Sequence, residues 1–154
     1  MKKKISEFGL TLLSISAFAF LLNYVWESYH AVFLYGAHDF NAEKYVRMLS
    51  YVSAVDSSLI LTIYLLLSLL CKDMLWLRKM NRWQAGVVFA AGVMTAAFIE
   101  YRKVFVLRAW SYTPLMPTVF GLGLSPLLQL SSTALLAFWI TKKIVHQGGD
   151  GAKS

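Results

Sequence analysis

An all-α fold, a four-helix transmembrane bundle with both its N-terminus and its C-terminus cytoplasmic, is what this sequence predicts, on three observations. Hydrophobic residues fill 58% of the 154 positions, above the ~45–50% of an ordinary soluble domain. The mean hydropathy is correspondingly high, +0.56. Apolar runs cover about Phe8–Tyr35, Met48–Cys71, Trp83–Leu107 and Thr118–Thr141, each reaching the roughly 20 residues a helix needs to cross a bilayer. Only short polar connections separate them, so residues 1–146 form a single membrane domain and 147–154 a polar tail expected to be disordered.

The net charge of +7 does not make a nucleic-acid binder, because the basic residues sit in loops beside apolar helices and form no continuous patch. Ten of them (Lys2, Lys3, Lys4, Lys72, Arg78, Lys79, Arg82, Lys142, Lys143, Lys153) fall on one side of the spans and five (Lys44, Arg47, Arg102, Lys103, Arg108) on the other. The richer side is cytoplasmic by the positive-inside rule, which places the chain as a multi-pass protein of a cell inner membrane, with lipids as its first partners. The single cysteine, Cys71, excludes an intramolecular disulfide.

Helix 1 opens after Lys2–Lys4. Ala17-Phe18-Ala19 imitates a signal-peptidase site, but the apolar run continues to Val25 without a polar break. Near its far end Asn23, Glu27 and His30 stand at i, i+4 and i+7, on one helical face. Gly36, His38, Asp39 and Asn41 mark the first outer loop.

Helix 2 carries Asp56 about eight residues inside Met48, roughly 12 Å deep at 1.5 Å per residue. Ser53, Ser57, Ile60 and Tyr64 are expected to make that stripe a cavity wall, polar above and apolar below. The inner loop from Lys72 to Arg82 is basic and suits anionic headgroups.

Helix 3 is rich in small residues (Gly86, Ala90, Ala91, Gly92, Ala96, Ala97), which let helices approach closely. It ends in Glu100. Pro114 and Pro117 then bar a continuous helix, and Gly121-Leu122-Gly123-Leu124-Ser125-Pro126 is expected to bend or unwind the outer half of helix 4, with Gln129 near mid-depth.

Glu27, Asp56, Glu100 and Gln129 thus come from four spans into one leaflet, the periplasmic one. A pairing of His30 with Glu27, plus a deep carboxyl at Asp56 to donate a proton, suits acid/base catalysis on a lipid or isoprenoid-like substrate. The candidate catalytic residues are Glu27, His30, Asp56 and Glu100. Asn23, Arg108, Trp110, Tyr112 and Gln129 are the candidate substrate-binding residues, although Trp26, Tyr29, Tyr101, Trp110 and Tyr112 also read as an aromatic belt at the interface. No catalytic serine is identifiable, and His38 and His146 read as loop or tail residues.

Glu27-x-x-His30 also has metal-ligand spacing, but a di-iron bundle wants that motif twice and it occurs once. No metal is assigned, and the sequence names no cofactor. Two non-enzymatic classes compete: a lipophilic small-molecule or lipid binder or transporter, and a structural subunit whose polar ring meets a partner helix. Neither oligomeric state nor a partner subunit is readable.

Trp26-Glu27-x-x-His30, Asp56, Arg108-x-Trp110-x-Tyr112, Pro117 and Gly121-Leu122-Gly123-Leu124-Ser125-Pro126-Leu127-Leu128-Gln129 together resemble a group of small bacterial multi-pass inner-membrane proteins of unassigned function. That resemblance spans most of the chain and implies no activity. A His and acids within a compact bundle is also similar, as a fold-level analogy, to the emopamil-binding sterol isomerases, whose spacings differ.

Overall fold

The computed structural model describes residues 2–36 and 41–147. Four α-helices make the bundle: α1 (Lys2–Tyr29), α2 (Ala42–Leu70), α3 (Arg82–Tyr101) and α4 (Leu124–Thr141). Three continue into a wider π-helical turn, α1 through His30–Leu34, α3 through Arg102–Val106 and α4 through Lys142–Gln147. With those turns all four are long and apolar enough to cross a membrane, the build of an integral, multi-pass protein. His38, Asp39 and residues 148–154 of the tail lie outside the described residues.

Helix limits depart from the apolar runs where a cap outweighs hydropathy. α2 starts at Ala42 because the Asn41 side chain accepts from the Lys44 N–H at 2.9 Å. Asn81 and Gln84 close a reciprocal capping box at the start of α3.

The largest departure precedes α4. Thr118–Gly123, expected as the bent top of helix 4, instead forms a small antiparallel hairpin, β1 (Thr118–Val119) with β2 (Leu122–Gly123). Phe120 and Gly121 at its tip both have positive φ, 53° and 78°, as a two-residue type I′ turn requires. The Leu124 N–H donates to the Pro117 carbonyl at 2.8 Å, tying the hairpin to the start of α4.

The closest helix pairs are α3 with α4 and α1 with α2. At the α3–α4 contact a Cβ on Gly92 would stand 2.5 Å from Ser131 Oγ and 2.8 Å from its Cα, so the small-residue face is a tight packing face, as expected. On α2 the expected cavity stripe packs elsewhere: Ser53, Ser57, Ile60 and Tyr64 are buried, and Ser57 Oγ donates to the Ser16 carbonyl of α1 at 2.9 Å. Asp56, one position round the helix, faces the cavity instead.

At the opposite end of the bundle from Glu27, Tyr64 stacks on Trp76 and Phe138 meets both edge-on, an aromatic core. Trp76 comes from the inner loop and donates its indole N–H to Ser68 Oγ at 3.1 Å, so that basic loop is anchored in the core. His146 corrects its reading as a tail residue. Its Nδ1 lies 3.0 Å from Glu7 Oε1, Arg78 Nε donates to the same oxygen at 2.7 Å, and the clamp joins helix 1, the inner loop and the end of helix 4.

Candidate functional site

Gln129, on α4, is the hub. Its side-chain nitrogen lies 2.7 Å from Glu27 Oε1, 3.0 Å from Asn23 Oδ1 and 3.2 Å from Asp56 Oδ2. Three helices are joined through one amide. Both carboxylate oxygens lie within 3.2 Å of one nitrogen, which keeps them within about 6 Å of each other. Asn23 is held in turn by its own helix, donating to the Ala19 carbonyl at 2.9 Å, while its Oδ1 accepts from Thr133 at 3.2 Å.

Glu100 forms the second acidic centre. It is 4% exposed and accepts from the hydroxyls of Tyr35, at 3.1 Å, and Tyr112. Tyr112 also accepts from the Gly123 N–H at 3.0 Å, so the hairpin positions the ring that grips Glu100. Burial, with the Glu100 carboxylate adding to it, pushes the Tyr35 hydroxyl far above the ordinary tyrosine range, and burial together with the hydrogen bond to Glu100 does the same to Tyr112. Both stay protonated donors.

The two centres line one cavity of about 380 Å³, within the size range of small-molecule sites. Glu27, Asp56, Gln129 and Glu100 face it together with Tyr35, Lys103 and Trp110. Lys103 Nζ stands 5.4 Å over the Trp110 ring, a cation–π distance. Met48, Val52, Val55, Ala96 and Ile99 supply apolar wall.

His30 is 1% exposed and lines a second cavity. Its Nε2 lies 2.7 Å from Trp26 Nε1 and 2.7 Å from Ser125 Oγ. An indole N–H only donates, so Nε2 accepts and the neutral ring carries its proton on Nδ1. That Nδ1 has no hydrogen-bond partner among the described residues and lies 3.8 Å from Glu27 Oε1. On its Nε2 side lies an apolar cavity of about 460 Å³ between helices 1 and 4, lined also by Trp26, Ser125 and Leu136.

Of the residues singled out from the sequence, Asn23, Glu27, His30, Asp56 and Gln129 meet at one centre, Glu100 and Trp110 line the cavity with Glu27, Asp56 and Gln129, and Tyr112 is bonded to Glu100. Arg108 is not brought in. It is exposed, at φ 50°, and among the described residues makes no hydrogen bond or ion pair. Trp110 and Tyr112 turn inward, and Trp26 is bonded to His30, whereas Tyr29 and Tyr101 remain exposed as a belt would have them. Tyr35, Lys103 and Ser125 are added by the structure. Among the described residues, no group of three or more His, Cys, Asp or Glu side chains is arranged to hold a metal ion. No family model, curated protein or solved structure matches this chain.

Proposed function

We propose that this protein performs acid/base catalysis on a lipid or isoprenoid-like substrate held in the 380 Å³ cavity, with Asp56 as proton donor and Glu27, backed by His30, as base. One observation carries it: two carboxyls from different helices share a single amide donor at the wall of an apolar cavity. Two negative charges so close in a water-poor wall repel strongly, so the pair is built to share a proton, which one acid gives while the other keeps its charge. Glu100 stays fixed by two tyrosines at the opposite wall and orients the polar end of the substrate.

The ten-to-five division of basic residues supports cytoplasmic chain ends, which puts the site nearer the outer leaflet of an inner membrane. Purified protein in vesicles of total lipid extract, followed by liquid chromatography and mass spectrometry, tests the chemistry. The wild type should convert one lipid species, and Asp56→Asn should stop that conversion while leaving the melting temperature within a few degrees. Conversion that survives Asp56→Asn, or none in the wild type, contradicts it. Loss of the fold in Asp56→Asn would support a structural subunit.

A further inference from the structure

We propose that Ser125, His30 and Glu27 form a nucleophilic relay, opening on the 460 Å³ cavity, that transfers the acyl group of an ester-linked bilayer lipid. This rests on the acid/base reading of the same polar centre and names the bond it acts on. Ser125 Oγ lies 2.7 Å from His30 Nε2, the separation a hydroxyl nucleophile and its base require. Trp26 forces Nε2 to be the accepting nitrogen, which is the tautomer such a base needs, and turns Nδ1–H toward Glu27 at 3.8 Å. That last contact is longer than a hydrogen bond, as is common before substrate closes a site.

The surroundings fit an acyl ester. Ser125 is the second residue of α4, two positions after the end of β2 at Gly123, a strand-to-helix corner that leaves its hydroxyl at the cavity wall. No side chain caps α4 at Gly123; the Leu124 N–H is taken by the Pro117 carbonyl and Pro126 has none, so the Ser125 N–H is the first-turn donor left for a developing oxyanion. Leu22, Val25, Leu34 and Leu136 give the cavity apolar walls. Val25 and Tyr29 are well exposed, so the cavity opens on the flank of the bundle, where acyl chains lie. His30 and Ser125 both sit at the ends of their spans, the depth at which lipid ester groups meet hydrocarbon.

The steps balance without a redox partner. Ser125 Oγ attacks the ester carbonyl carbon and its proton passes to His30 Nε2. The tetrahedral oxyanion collapses, the bond to the lipid alcohol breaks, and His30 returns the proton to that alcohol. Water, or the hydroxyl of an acceptor lipid, then attacks the acyl-Ser125 carbonyl, gives its proton to His30, and Ser125 leaves with that proton. Trp26 must release Nε2 each time the ring is charged. Ser125 and His30 are the catalytic residues, and Glu27 is a positioning residue.

The full-length protein in detergent micelles, treated with a long-chain alkyl fluorophosphonate and mapped by peptide mass spectrometry, tests the relay. The wild type should carry one phosphonyl adduct, on Ser125. Ser125→Ala should carry none, Trp26→Phe should still be labelled, and His30→Gln should react on the order of 100-fold more slowly, the contribution of a general base. Glu27→Gln should slow labelling and alter the pH profile of its rate, which loss of packing alone would not do. An unlabelled wild type, or equal labelling in Ser125→Ala, overturns the proposal; should Ser125→Ala not fold, the site of the wild-type adduct decides. If the wild type is unlabelled while Asp56→Asn still blocks lipid conversion, the relay falls and the acid/base reading stands.

Discussion

The Gln129 amide donates to the Glu27 carboxylate at 2.7 Å, joining helix 4 to helix 1 across 102 positions of sequence. The same nitrogen reaches Asn23 and Asp56. Gln129→Leu therefore strands the part-buried Glu27 and Asp56 carboxylates, while Asn23 keeps its bond from Thr133, and each unsatisfied group costs about 1–3 kcal/mol. Thermal unfolding in detergent should show Gln129→Leu among the most destabilising single changes in α4, and a melting temperature equal to the wild type would show that the hub holds nothing together.

Gly92 fixes how closely α3 approaches α4. A Cβ there meets the Ser131 backbone at 2.8 Å, and backbone cannot swing aside as a long side chain can. Gly92→Ala should cost about 1–3 kcal/mol, the usual range for overpacking. Gly86, on the same helix, has open space around an added Cβ. Gly86→Ala should be neutral or slightly stabilising, so the difference between their melting temperatures is the measurement.

Tyr35 and Tyr112 give stability an alkaline limit. Their hydroxyls are held well above the ordinary range in the folded protein, while unfolded tyrosine ionises near pH ~10. Up to about pH 9 both states keep the proton and stability should not change on their account. Above about pH 10 the unfolded chain releases protons that the folded chain retains, so stability falls as pH rises. Melting temperatures from pH 7 to 11 should fall less steeply at the alkaline end in the double variant Tyr35→Phe, Tyr112→Phe; equal slopes would contradict the assignment.

The orientation is tested by reporter fusions at Asn41 and Lys79. A periplasm-active reporter should work at Asn41 and a cytoplasm-active one at Lys79, and activity of the same reporter at both would refute the arrangement.

Four spans were legible because each is a long apolar run, and the face shared by Asn23, Glu27 and His30 was legible because helical spacing fixes it. The face of α2 was misread. Ser53 and Ser57 have the polarity of a cavity wall, yet both are buried, since a serine is small enough to sit where two helices touch. Ser57 donates to the Ser16 carbonyl of helix 1, while Ser53 Oγ finds no partner among the described residues. The hairpin escaped notice because Gly121 and Gly123 read as a weakened helix, and its φ pattern involves Phe120, a residue that rarely takes that conformation. The contacts of Ser125 with His30 and of Tyr35 with Glu100 join positions 95 and 65 residues apart, which no local spacing encodes. His146 likewise gains its meaning only from Glu7, at the far end of the chain.

The central claim is that one cavity, bounded by Glu27, Asp56 and Glu100, holds a lipophilic small molecule. Native mass spectrometry of the protein taken gently from its membrane measures this directly, with Ala96→Phe as the control because Ala96 is buried in that cavity wall. About one bound small lipophile per chain in the wild type, lost in Ala96→Phe, is the expected result. An empty wild type, or the same occupancy in Ala96→Phe, would contradict it.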